Sequence, residues 1–117
     1  MSLQTEIHKH RNMLIVRLQG ELDHHTAELV RTKMEEALLS SNVHHIILNL
    51  NDLHFMDSSG IGVILGRYKQ IKGKGGQMVV CEVNPQVHRL FELSGLFKIM
   101  SFYDNERMAI ESLEVVS

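Results

Sequence analysis

The chain has 117 residues, 44% hydrophobic and 22% charged, the composition of one globular domain, residues 1–117, with no length left for a second core. Lysine and arginine number 12 against 14 aspartate and glutamate, a net charge of −2, which excludes a basic surface built for nucleic-acid phosphates. No apolar run approaches the roughly 18 residues of a membrane span, and the polar N-terminus carries no apolar leader, so the expected location is cytoplasmic, with neither membrane nor nucleic acid as a partner.

Residues 3–9 read as an edge strand and residues 13–19 as its partner across the polar turn His10-Arg11-Asn12. In the second run Leu14, Val16 and Leu18 alternate with Arg17 and Gln19, the period of a half-covered strand. After Gly20 the period changes: Ala27, Val30, Met34, Ala37 and Leu38 recur at helical spacing, with Asp23 as the expected N-cap. Residues 45–50 form a nearly continuous aliphatic run, as in an interior strand covered on both faces.

Ile61, Ile64, Leu65, Tyr68 and Ile71 then mark a second helix, stopped by the cluster Gly73-Lys74-Gly75-Gly76, and residues 77–82 form a third aliphatic strand. Cys81, the single cysteine, lies in that strand and cannot close an internal disulfide. No basic residue or second cysteine accompanies it, so it reads as a small buried hydrophobe. Asn84-Pro85 opens a third helix in cap and first-turn order, with Val87, Leu90 and Phe91 inward and Gly95 closing it. A short strand at 99–102 and a helix over about 104–113 complete the order ββαβαβαβα.

Strands joined through helices require right-handed crossovers, so the fold class is α/β, a mixed and mostly parallel sheet with an N-terminal hairpin and about four helices. In such sheets sites gather where strand carboxyl ends run into helix N-termini. That singles out the segments 20–25 and 51–60 as functional loops.

The second segment ends Phe55-Met56-Asp57-Ser58-Ser59-Gly60. An N-cap role for Asp57 or Ser58 accounts for part of it. It does not account for Gly60-Ile61-Gly62, since each glycine in a helix costs about 0.5–1 kcal/mol relative to alanine. The bare first turn suggests that something approaches it closely. Ile61 fits either a core position or an exposed partner contact.

These residues resemble a known family. Asp57-Ser58-Ser59-Gly60 after an aliphatic strand, with Gly20-Glu21-Leu22-Asp23 upstream and Ser94-Gly95-Leu96 downstream, is similar to the STAS group, named for sulfate transporters and anti-sigma factor antagonists. The likeness spans the chain, and within the group it points to the stand-alone antagonists of Bacillus-type sporulation. It implies a single-domain STAS fold and a regulatory protein rather than an enzyme. It also implies that the serine after the aspartate, Ser58, is phosphorylated by a partner anti-sigma factor that is itself a serine kinase. The unphosphorylated form would bind that partner and free the sigma factor, and a serine phosphatase would reset the switch. The implied partner surface comprises Asp23, Asp57, Ser58, Ser59, Gly60 and Ile61.

Charge chemistry agrees with such a switch. A phosphate adds about −1.5 to −2 at pH 7 and would take the chain to about −3.5 to −4, all of it at one loop. If Asp23 lies near Asp57, the phosphate meets two carboxylates while the helix N-terminus partly compensates.

Rival readings are weaker. The eight histidines, including the pairs His24-His25 and His44-His45, lack a recognisable ligand spacing for zinc, and no metal or cofactor is called for. Ser58 lacks the Gly-x-Ser-x-Gly elbow of a hydrolase. A receiver domain phosphorylated on Asp57 would not begin with a hairpin. A STAS module that scaffolds or senses without the sporulation circuit stays open.

Overall fold

Two patterns of aliphatic residues, alternating along 13–18 and continuous along 46–50, build the centre of a five-stranded sheet. The structure, a computed structural model, describes residues 2–40 and 42–116. In chain order it contains β1 (Leu3–His10), β2 (Met13–Leu22), α1 (Ala27–Ser40), β3 (His45–Met56) and α2 (Ser58–Gly73). There follow β4 (Met78–Cys81), α3 (Pro85–Ser94), a 3-10 turn (Leu96–Lys98), β5 (Ser101–Tyr103) and α4 (Glu106–Val116). The strands lie in the order β1-β2-β3-β4-β5. β1 and β2 form an antiparallel hairpin, and every other neighbouring pair is parallel, as right-handed crossovers through helices require.

The two sheet faces are covered unequally. α1, α2 and α3 pack on one face, where Val30, Met34, Ile64, Ile71, Val87 and Phe91 meet Leu14, Val16, Ile46, Leu48 and Val80. α4 alone covers the other, placing Ala109 and Leu113 on Met13, Ile15, Ile47, Val79 and Cys81. β2 is therefore buried on both faces over its first four residues, rather than half-covered along its whole length. Burial pushes the Cys81 thiol pKa up to about 12, which keeps it a neutral core side chain.

Beyond the start of α4 that second face is open and polar. Arg17 there donates two hydrogen bonds to the Glu106 carboxylate, at 2.7 and 2.8 Å. The buried Asn49 amide donates to Glu106 and to Glu82, at 2.6 and 3.1 Å.

Several boundaries depart from the sequence reading. The segment 51–60 is not a loop: β3 continues to Met56, because residues 52–56 keep pairing with Gln19–Leu22 of β2 across two register shifts. Its exposed Asn51, Asp52 and His54 lie where no helix covers the sheet, so they carry the polarity of a loop. Likewise β2 extends to Leu22, and the first functional segment shrinks to a turn at residues 23–26. β4 is shorter at its carboxyl end because Glu82 takes a left-handed conformation, φ 57°. β5 and α4 each begin two residues later than expected, since the 3-10 turn at Leu96–Lys98 takes up chain after α3. α3 matches in detail, with the Asn84 side chain accepting from the Val87 amide, Pro85 in the first turn and Gly95 at φ 84°.

Candidate functional site at the start of the second helix

The carboxyl ends of β2 and β3 lie side by side, with Leu22 paired to Met56, and the next residue of each strand is an aspartate. The backbone joins the two directly: the Asp57 amide donates to the Leu22 carbonyl at 3.2 Å. Asp23 and Asp57, 34 positions apart in sequence, are thereby held at one edge of the fold.

Asp57 is the N-cap of α2. Its Oδ1 accepts from the Ser59 and Gly60 amides at 2.9 and 3.3 Å, satisfying two of the donors that a helix start leaves open. Ser58, the first residue of the helix, is exposed. In the described structure its hydroxyl makes no hydrogen bond, and Ser59 behind it is half-buried.

Asp23 makes the hydrogen bonds expected of a cap, one turn ahead of the regular helix. The regular helix α1 starts at Ala27, and the turn leading into it opens with the Ala27 amide donating to the Asp23 carbonyl at 2.8 Å, ahead of the bond from the Val30 amide to the Thr26 carbonyl. Asp23 accepts through Oδ1 from the His25 and Thr26 amides, two and three positions on, at 2.9 and 3.1 Å and faces the Thr26 hydroxyl at 3.3 Å. It is only 3% exposed, and its second oxygen, Oδ2, is buried without a hydrogen-bond partner. Burial works to raise its pKa, but the hydrogen bonds from His25 and Thr26 outweigh it and hold the carboxyl below the usual range.

Thr26 was not anticipated as part of this site. Its hydroxyl donates to the Glu21 carbonyl at 2.8 Å and accepts from the Asp23 amide at 3.0 Å, tying the turn to the end of β2. The available signal was the Asp-x-x-Thr spacing that follows Gly20-Glu21-Leu22. Phe55 was missed too: it is a 43% exposed aromatic two residues before Asp57.

The three glycine-flanked positions separate clearly. Gly60 is buried, and a Cβ there would sit 2.6 Å from Met56 Cγ, 2.8 Å from Leu22 Cγ and 2.9 Å from the Leu22 carbonyl oxygen. What approaches Gly60 closely is the protein's own sheet. A Cβ at Gly62 would meet nothing within 4 Å, so this glycine leaves the helix surface bare. Ile61 is half-buried and packs against the main core.

His24 and His25 stack beside this turn with ring centroids 3.9 Å apart. Among the described residues no three His, Cys, Asp or Glu side chains are grouped to hold a metal ion, and no helix is long and apolar enough to cross a membrane.

With fold and site in view, the comparison with known proteins is direct. The model of the STAS domain matches residues 4–109. The chain belongs to the STAS domain family. It is similar to the anti-sigma F factor antagonist of Paenibacillus polymyxa, with 62% identity over the full length of both chains. Its fold is that of the anti-sigma factor antagonist SpoIIAA in its unphosphorylated form, at TM-score 0.83 and 35% identity over 99% of both chains. SpoIIAA of Bacillus in the phosphorylated form matches at TM-score 0.72 and 36% identity, over 95% of this chain and 98% of that one. Within the STAS family the chain is thus an anti-sigma factor antagonist of the SpoIIAA kind, in a group of regulatory proteins rather than enzymes.

Proposed function

We propose that this antagonist is a partner switch controlled at Ser58. Unphosphorylated, it binds an anti-sigma factor through Asp23, Asp57, Ser58, Ser59 and Ile61, with Gly60 beneath them, and so releases a sigma factor for sporulation transcription in the cytoplasm. The anti-sigma factor, acting as a serine kinase, phosphorylates Ser58 and is then released, and a serine phosphatase restores the binding form.

The observation that carries this reading is the Ser58 hydroxyl, exposed at the first turn of a 16-residue helix and free of hydrogen bonds within the described structure. A nucleophile in that position reaches a partner's nucleotide without breaking any contact of the fold. The phosphate would add about −1.5 to −2 charge and three acceptor oxygens next to Asp57 and across the strand ends from Asp23. The helix N-terminus stabilises that charge within the chain. A partner surface complementary to the unmodified site meets like-charge and desolvation costs of several kcal/mol. The solved pair of SpoIIAA structures, one unphosphorylated and one phosphorylated, supports modification as the control.

Incubation with the partner anti-sigma factor and Mg-ATP tests the proposal. Stoichiometric, acid-stable phosphate is expected on the chain and absent from Ser58→Ala, and Ser58→Asp should weaken partner binding at least tenfold. Transfer that persists in Ser58→Ala, or partner binding unaltered in Ser58→Asp, refutes the switch. Absence of transfer to the wild-type chain would point to a scaffold module.

A further inference from the structure

Gly60 touches both structural arms that converge on Ser58. Its Cα lies over Leu22 and Met56, the last residues of β2 and β3, and both are buried. Leu22 leads directly into Asp23, and Met56 into Asp57. The Leu22 carbonyl, which a Cβ at position 60 would approach to 2.9 Å, is the acceptor of the Asp57 amide. Ordinary contact begins at 3.4 Å, so a methyl group there is 0.5–0.8 Å too close to three atoms, one of them backbone. A flexible Met56 side chain can swing aside, but the Leu22 carbonyl cannot move without disturbing the Asp57 bond.

From this we infer that Gly60 is a positioning residue for Ser58. By carrying no side chain it lets the first turn of α2 settle onto the sheet, and so fixes the height of the Ser58 hydroxyl relative to the Asp23 turn. The inference deepens the proposed switch and rests on it for its functional consequence. Its structural half stands alone: any side chain at position 60 lifts the helix start and loosens the bond between Asp57 and Leu22.

The test uses the full chain as Gly60→Ala, with Val79→Ala, a core truncation under α4, as a destabilised control remote from the site. Amide exchange comes first and needs no partner. The Asp57 amide should exchange at least tenfold faster in Gly60→Ala than in Val79→Ala once both are referred to their global stability. Phosphoryl transfer to Ser58 at saturating partner should then fall about a hundredfold per folded molecule, the scale of an ångström-sized displacement of a reacting group, whereas Val79→Ala keeps the wild-type rate. If Gly60→Ala does not fold, combining it with Met56→Ala removes the nearest atom while leaving both Leu22 contacts, and that variant should fold with transfer still reduced. Wild-type exchange and transfer in folded Gly60→Ala overturns the inference. So does a folded double variant that transfers at the wild-type rate. A wild-type chain that accepts no phosphate sinks the switch instead, and leaves the exchange result to decide the role of Gly60.

Discussion

Asp57 holds two roles that substitution can pull apart. As N-cap it satisfies the Ser59 and Gly60 amides through one oxygen; as a neighbour of Ser58 it contributes a charge to the proposed partner surface. Asp57→Ala removes both, and loss of a cap costs about 1 kcal/mol, within a range of about 0.5–2. Asp57→Asn keeps an oxygen for the same two amides and loses only the charge at the helix start, about 0.3–1 kcal/mol. Unfolding entropy of roughly 2.1 cal/mol/K per residue, over 117 residues, gives about 4 °C of Tm for each kcal/mol. Thermal and urea unfolding should therefore show Asp57→Ala, which loses cap and charge together, down by about 5–8 °C and Asp57→Asn by about 1–4 °C, with unchanged urea m-values. Partner affinity should fall alike in both, because both lose the charge. Equal or greater destabilisation by asparagine refutes the cap assignment. Affinity that tracks stability, normal in asparagine and lost in alanine, refutes the charge contribution.

Two further predictions concern the scaffold. Glu106 has its pKa held down chiefly by the hydrogen bonds from Arg17, against an opposing effect of burial and with help from Asn49. Its contribution is thus complete above the unfolded value near 4.5 and is lost as pH falls through the lower folded value; with Arg17 40% exposed, Glu106→Gln should cost about 1–2 kcal/mol at pH 7 by urea unfolding, and the gap to wild type should close in acid. His45 is buried beside His44, its Nδ1 accepts from the Gln77 amide at 3.0 Å, and burial, reinforced by the His44 charge, lowers its pKa. The unfolded chain therefore takes up the proton first: stability should be level above pH 6.5 and decline below it, with a slope approaching about 1.4 kcal/mol per pH unit, and a slope unchanged in His45→Gln would refute this.

Legibility from the sequence depended on how local the deciding chemistry was. α3 could be bounded because Asn84, Pro85 and Gly95 each carry their own backbone preference, and the α2 cap because Asp57 acts on residues two and three positions away. The end of β3 could not be bounded, because Asn51, Asp52 and His54 are polar for a reason that lies elsewhere: α4 begins at Glu106 and leaves that part of the sheet uncovered. The link between Arg17 and Glu106 spans 89 positions and has no local signature. Gly60 shows the same limit within the site. A bare Cα at a helix start was evident in the sequence, but whether its neighbour is a partner or Leu22 depends on where β2 ends.

The division of labour around Ser58 explains why a single modification there could act without remodelling the fold. Among the described residues the side-chain hydrogen bonds that shape the site belong to Asp57, Asp23 and Thr26, and apart from the one between the Thr26 hydroxyl and Asp23 Oδ1 they anchor backbone amides or carbonyls. Ser58 contributes none, so a phosphate on its hydroxyl displaces no structural contact. Its consequence is electrostatic, and a chain with net charge of only −2 has no large background field to dilute it. The buried, partly unsatisfied Asp23 carboxylate then matters most. It cannot retreat from the added charge, because His25 and Thr26 hold its other oxygen and Thr26 is fixed in turn to Glu21. Under the proposed phosphorylation, a rigid carboxylate at the neighbouring strand end and a new charge on Ser58 would change what an approaching surface meets while the scaffold stays as it was, the behaviour expected of an interface-blocking switch.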